Sequence, residues 1–354
     1  MRVDYKIIVL FCSLLFIACS NSSNEISSNN NNGGDAECLL NNETQMAKTF
    51  EKGNGTLSDP YVIASPEQFK YFAEQVKLGE DFESEYISLK TDLIVAETRW
   101  EPVGNRSRRF KGFFDGNGHT ISGTLLAKPD AEVFGFFGYI QSGSVSNLNM
   151  NAKIDASNIA PEFTVYIGSV AGRADADIVN CKNFGQILGP SRATRSVRVA
   201  GITGALHKAK VEDCINEGDV HGGSIVENSN HYAAGLVAMN EGTIINSHNK
   251  GKVIGASVKS GTVETGGLVA CAFKVSVMKG CTNSGTVVPG KSESEVLTAL
   301  LVARTNDIKP SEDGGYDVFV SCYNEEGNGV ISGQDEQFLI YSCLALSKED
   351  LKSE

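Results

Sequence analysis

Tryptophan, proline, histidine and runs of basic residues are all scarce in this chain of 354 residues. A single Trp (Trp100) and an aromatic content of 8% exclude a site built from several indole platforms for neutral sugars. Lys and Arg number 31 against 43 Asp and Glu, a net charge of −12, and no long Lys/Arg run interrupts that balance. A nucleic-acid or anionic-membrane partner recognised by charge is thereby excluded. No CxxC or Cys/His spacing is present, so no metal and no cofactor is expected. Charged residues make up only 21% against 41% hydrophobic, which excludes disorder for the bulk of the chain. Beyond the first 18 residues no run is long and apolar enough to span a bilayer. Helical periodicity is almost absent as well.

What the chain does have is glycine, 37 in all and without a three-residue period, which points to many tight turns. It opens with Arg2 and Lys6, an apolar run from Ile7 to Ile17, and Ala18 before Cys19. Such a run is too short for a membrane helix and reads as a signal peptide over 1–18. Phe16-Ile17-Ala18-Cys19 resembles a bacterial lipobox, which implies lipidation of Cys19 and attachment to the outer membrane, with the surface and the periplasmic leaflet both open. Residues 19–48 are expected to be a tether, Ser/Asn-rich from Ser20 to Asn32 with Glu25 its only charge there.

From about 134 to 335 one pattern recurs. Its first half reads Gly135-Phe-Phe-Gly, Gly168-Ser-Val-Ala, Gly201-Ile-Thr-Gly, Gly235-Leu-Val-Ala, Gly267-Leu-Val-Ala and Leu300-Leu-Val-Ala, with leading positions 33, 33, 34, 32 and 33 residues apart. Its second half ends in Leu148, Cys181, Cys214, Ser247, Cys281 and Cys322, followed in the later copies by Asn183, Asn216, Asn249, Asn283 and Asn324. Gly185, Gly218, Gly251, Gly285 and Gly327 then precede Ile187, Val220, Val253, Val287 and Val330. Each copy consists of short apolar or β-branched runs punctuated by Gly, Asn or Asp, and one copy cannot bury its own apolar positions. Copies stacked at the strand spacing form one continuous core, so the pattern predicts an all-β parallel solenoid of about eight rungs, on the order of 40 Å long. The Gly185 column is expected to supply a backbone conformation that other residues resist. The Cys/Leu/Ser column marks a small buried slot for free thiols, and the Asn column an amide ladder that satisfies backbone groups.

Gly-Leu-Val-Gly followed by Ile-x-Asn-Cys-x-Asn-x-Gly-x-Val resembles the GLUG-type repeat of bacterial surface β-helix proteins, among them adhesins and immunoglobulin A protease-like proteins. Gly55-Thr-Leu-Ser-Asp-Pro-Tyr-Val-Ile63, Trp100-Glu-Pro-Val-Gly104 and Phe113-Phe-Asp-Gly-Asn-Gly-His-Thr-Ile121 resemble the entry segments of the same group. The resemblance implies a right-handed parallel β-helix and does not carry a function, since members differ in what they bind. A capped β-helix over 49–346 is expected: cap and first strands over 49–133, six repeats over 134–335, a closing segment over 336–346, and a charged tail over 347–354. Ser65-Pro66-Glu67-Gln68 with Phe69, Phe72, Ala73 and Val76 predicts a capping helix that ends at Gly79.

Equal register stacks the variable segments of each copy on one side. They bring Arg192, Arg195 and Arg198 beside Glu162 and Glu227, with His231 and Tyr232 next to the latter, and these seven are the ligand-binding candidates. The expected role is non-catalytic: a monomeric, adhesin-like module that presents stacked loops to a glycan or host protein and touches the membrane only through its lipid. An enzyme acting on an acidic glycan is the alternative, with Arg195 on a substrate carboxylate and Glu227 or His231 as base. A structural envelope component is the third reading. Asp115-Gly-Asn-Gly-His119 reads as a tight turn rather than a calcium loop, and Arg106, Arg108, Arg109 and Lys111 as a solvated basic loop.

Overall fold

The computed structural model describes residues 38–225, 229–273, 275–306, 319–320 and 323–324. The signal peptide, Cys19, most of the tether, Glu227, Cys322, the closing segment and the charged tail lie outside the described residues. Every pairing between the named strands is parallel, and three long sheets form the walls of a solenoid. One wall runs Thr120–Leu126, Asn149–Asp155 and then paired short strands such as Ile215–Asn216 and Val220–His221. The second has six strands: Val133–Phe134, Val165–Gly168, Val197–Ala200, His231–Ala234, Thr262–Gly266 and Glu295–Ala299. The third runs from Tyr61–Ile63 through Thr203–Glu212 and Val237–Ile245 to Val302–Asn306.

The complete turns number about six, not eight. Strands Tyr61–Ile63, Tyr86–Leu89 and Phe113–Asp115 extend the third wall, but the second wall begins only at Val133. Aromatic packing fills that end instead. Phe69 and Phe72, on the one described helix Pro66–Leu78, meet Trp100, Phe110, Phe114 and Phe136 at centroid distances of 5.1–6.0 Å. The helix starts and stops as its sequence dictates. Ser65 accepts from the Gln68 N–H, Pro66 occupies the first turn, and Gly79 closes it at φ 111°.

The interior is a set of straight columns. Ile154, Ile187, Val220, Val253 and Val287 lie in register and are fully buried. Asn183, Asn216 and Asn249 each donate one amide hydrogen to the carbonyl two residues on, at 2.9 Å, and the other to the Asn of the next turn, at 2.7–2.8 Å. The ladder expected from the sequence therefore links four turns. The cysteine column also forms, with Cys181, Cys214 and Cys281 fully buried. Its chemistry is more specific than a small slot. Each thiol, like the Ser247 hydroxyl, donates to the carbonyl two residues before it, at 3.3–3.4 Å for sulfur and 2.7 Å for oxygen. That shared donor explains why Cys and Ser interchange there.

Two expectations need correction. Gly185, Gly218, Gly251 and Gly285 do not adopt left-handed backbone; a Cβ on any of them would fall 1.9–2.1 Å from the carbonyl oxygen of the preceding turn, so close approach requires glycine. The repeat is also offset by one residue in its second copy. Gly168 pairs with Ala200, and Ala171 with Thr203, which leaves Ser169, not Gly168, in line with Gly201 and Gly235. Asp115–His119 does form the expected tight turn, with Asn117 and Gly118 at φ 50° and 79°.

The amide ladder gives a direct test. In Asn216→Ala, Asn183 loses an acceptor while Asn249 and the Gly218 carbonyl lose a donor, all inside the core. Chemical denaturation should show a loss of about 2–5 kcal/mol. Lys250→Ala, which removes only the exposed pair with Glu217, should cost less than about 1 kcal/mol. Equal losses in the two variants would remove the ladder from the account of stability.

Candidate functional site

The second wall alternates strictly, because successive side chains in a strand point to opposite faces. Val165, Val197, His231 and Val263 face the interior, and Tyr166, Arg198, Tyr232 and Glu264 form an outward row in register. The third wall carries a similar outward row: Tyr139 beside Arg173, and further along Met239, Cys271 and Arg304. The two rows touch. Arg304 reaches from the third wall to Glu264 of the second, Nε to Oε1 2.6 Å, and to Glu295 at 2.5 Å. Outward residues of two walls meet only across a re-entrant corner, so this side of the solenoid is a crease. Ala200, Ala234, Ala238 and Ala270 floor it as a small apolar cluster apart from the main core, with Tyr232 packed on them.

Within the crease, cations and tyrosines alternate. The Arg198 guanidinium lies 4.5 Å from the Tyr166 ring centre and 5.7 Å from that of Tyr232. Tyr139 is likewise flanked by Arg109 at 4.7 Å and Arg173 at 5.0 Å. Each contact of this kind contributes about 0.5–1 kcal/mol when exposed and more when desolvated. Asp175 fixes one set: it accepts from the Tyr139 hydroxyl at 2.7 Å and from Arg173 Nε at 3.0 Å. The buried Arg198 Nε, by contrast, has no hydrogen-bond partner among the described residues. Burial, then the charge of Glu264, pushes the Tyr232 hydroxyl up to about 12. Burial also pushes the Glu264 carboxyl up to about 7 against the pull of Arg304.

The sequence candidates divide on this geometry. Arg198 and Tyr232 stand together in the crease. Glu162, Arg192 and Arg195 are exposed on the neighbouring loops and make no ion pair among the described residues. Glu227 lies outside the described residues. His231 is a core residue: it is fully buried, among the described residues neither ring nitrogen has a partner at good hydrogen-bond geometry, the Gly222 backbone being only near it, and it replaces valine in its column. Burial holds its pKa down to about 3, and the Gly222 backbone offsets only part of that. Sequence reasoning missed Tyr139, Tyr166, Arg173 and Glu264. A signal was present, since Tyr166, Arg198, Tyr232 and Glu264 follow one another at 32, 34 and 32 residues, in phase with the repeat.

The chain matches no family model. A crystal structure of a candidate immunoglobulin A1 protease from Bacteroides ovatus superposes with a TM-score of 0.57 at 22% identity, over 82% of this chain and 84% of that one. That likeness shows the fold alone. A candidate Gly-rich membrane protein of Evansella cellulosilytica is 29% identical over 128 residues, 36% of this chain and 14% of that protein. Halomucin of Haloquadratum walsbyi is 27% identical over 170 residues, 45% of this chain and 2% of that protein. The chain thus spans a small fraction of the curated relatives it matches.

The placement of His231 has a consequence in acid. Its folded pKa lies below the unfolded value of about 6.5, so its contribution to stability is complete above that pH and is lost as the pH falls toward 3. Between pH 7 and 4.5 the loss from this residue should be on the order of 2–3 kcal/mol. His231→Val should abolish that part of the pH dependence and be at least as stable at pH 7. Urea midpoints at the two pH values measure both, and parallel curves for variant and wild type would contradict the neutral buried histidine.

Proposed function

We propose that this protein is a non-catalytic, adhesin-like binding module of the cell envelope, whose crease and neighbouring loops hold a glycan or host-protein ligand. The observation that carries the reading is Arg198 held between Tyr166 and Tyr232 with its Nε unspent. An arginine fixed on aromatic faces is prepared for a planar carboxylate, and half-exposed tyrosine rings offer faces to sugar rings. The combination favours an acidic glycan. Tyrosines here take the place of the indole platforms the sequence lacks.

The rest of the proposal concerns placement. A lipid on Cys19 and a Ser/Asn-rich tether hold a single solenoid, over 49–346, off the outer membrane. The name of the Evansella relative, a membrane protein, supports an envelope location. The helix Pro66–Leu78 caps a right-handed β-helix of the GLUG type: its buried Phe69 and Phe72 cover the aromatic end, where an open rung would leave an unpaired edge. One observation favours an enzyme instead, the Glu264 carboxyl shifted toward neutrality beside Tyr232. Glu264 is only 2% exposed, and its bond to Arg304 fits a structural pin better than a base that must reach a polymer. His231, enclosed in the core, is no longer a candidate base.

A glycan array that includes polyuronides tests the reading. Binding to uronate-containing glycans is expected, weakened at least tenfold by Arg198→Ala and by the Tyr166→Ala/Tyr232→Ala pair, with no product released. Unsaturated or shortened product that disappears in Glu264→Gln would replace the binding module with an enzyme. Binding to no glycan but to a host protein would move the ligand class, and binding to neither would leave a structural component. For the anchor, cells fed an alkyne fatty acid should label the wild-type chain and not Cys19→Ser; protease shaving of intact cells then reports whether the solenoid faces outward.

A further inference from the structure

We propose that the loop over 104–111 forms a second binding site, a pocket for an oxyanion. The loop is built to curl. Gly104 sits at φ 77°, and the Asn105 carboxamide oxygen accepts from the N–H groups of Ser107 and Arg108, both at 2.9 Å. The Asn105 N–H donates to the Arg108 carbonyl at 2.6 Å, which closes the turn. The curl directs four cations, Arg106, Arg108, Arg109 and Lys111, around one depression of about 280 Å³ that Gly79 and Asp81 also line. Asp81 is its single carboxylate.

The four cations are not equally occupied. Lys111 pairs with Asp81 at 2.7 Å and with Glu83 at 3.5 Å, and Arg106 pairs with Glu132, outside the pocket, at 2.8 Å. Arg109 is held from behind, its guanidinium on the Tyr139 ring and its Nε donating to the Arg106 carbonyl at 3.1 Å, while its contact to Gln141 is long at 3.5 Å. Arg108 makes no side-chain hydrogen bond or ion pair among the described residues. Its guanidinium lies against Gly79, where an added Cβ would come within 3.1 Å of a terminal nitrogen. Gly79 ends the helix Pro66–Leu78, and the negative end of the helix dipole favours a cation there. That field accounts for the position of one arginine, leaves its planar fork of donors unspent, and does not explain the three cations beside it.

A ligand that satisfies this pocket carries two or more oxygens and one or two negative charges: a carboxylate, sulfate or phosphate, free in solution or borne on a glycan. In a protein of charge −12 such a group is drawn in by this local field against the overall one. Because the site is exposed, its affinity should fall as salt rises. This pocket shares Arg109 with the crease, but Arg108 has no part in the crease, so a test on Arg108 stands or falls independently of the glycan reading above.

Calorimetric titration of the full chain with sodium sulfate, sodium phosphate and a short oligogalacturonate, at low ionic strength, tests it. Saturable binding of the two inorganic anions is expected, at least tenfold weaker in Arg108→Ala, partly restored by Arg108→Lys, and unchanged in Lys250→Ala; the oligogalacturonate titration is run on Arg198→Ala, so that the crease does not contribute. Oligogalacturonate bound tenfold or more tighter than either inorganic anion, with the same sensitivity to Arg108, identifies a glycan-borne group; equal affinities identify a free oxyanion. Absence of binding by all three, or binding that Arg108→Ala leaves intact in a protein whose melting temperature is unchanged, overturns the proposal.

Discussion

The closeness with which one turn of backbone lies on the next is the constraint on which the rest depends. At Gly185, Gly218, Gly251 and Gly285 the carbonyl of the preceding turn occupies the place a Cβ would take. A solenoid that tight cannot slip by one residue, since slippage would drive a side chain into backbone and turn the apolar column outward. The Asn183–Asn216–Asn249–Asn283 ladder acts in the same direction: its amides bond along the axis only when the turns are in step. Packing and polar satisfaction therefore select one register. The cysteine column adds a third condition, because a thiol or hydroxyl must stand where the carbonyl two residues back can receive its hydrogen.

Once the inside is in step, the outside is as well. Tyr166, Arg198, Tyr232 and Glu264 are neighbours because Val165, Val197, His231 and Val263, each one residue earlier, are neighbours in the core. The arginine sandwich is thus held in position by interior contacts that do not involve it. Little side-chain freedom then remains to be lost on binding, which is what preorganisation contributes to affinity. The same logic places Glu264 against Arg304. A carboxyl drawn toward neutrality by burial is tolerated because a fixed guanidinium on the other wall meets it.

How much of this could be read from the sequence follows from how the reading works. Columns that repeat one residue type, Asn216 and Asn249 or Val220 and Val253, stand out at the period and were legible with their roles. The outward row alternates Tyr, Arg, Tyr and Glu, and a search for sameness passes over it although its spacing is as regular. His231 and Tyr232 were grouped as one site, yet adjacent residues of a strand point to opposite faces, so one entered the core and the other the crease. The Gly185 column was found for the wrong reason: sequence shows that only glycine is tolerated, and not whether the cause is a dihedral angle or a nearby carbonyl. The offset at Ser169 was hidden because Gly168 falls at the even 33-residue spacing from Gly135 and Gly201, and only the pairing of Ala171 with Thr203 decides it.

Arg109 shows how the two basic features of an acidic protein relate. It lines the pocket of the 104–111 loop, and its guanidinium also covers the Tyr139 ring whose other side meets Arg173. Arg173 is in turn close enough to Tyr139 and Tyr166 for both rings to act on its charge. The two features are therefore joined through Tyr139, with Arg109 and Arg173 both resting on its ring instead of hanging in solvent. In a chain with 12 more acidic than basic residues, free lysines on loops would be screened and neutralised by their neighbours. Arginines braced on tyrosines keep their planar donors aimed at one place, so local charge can act against the field of the whole molecule.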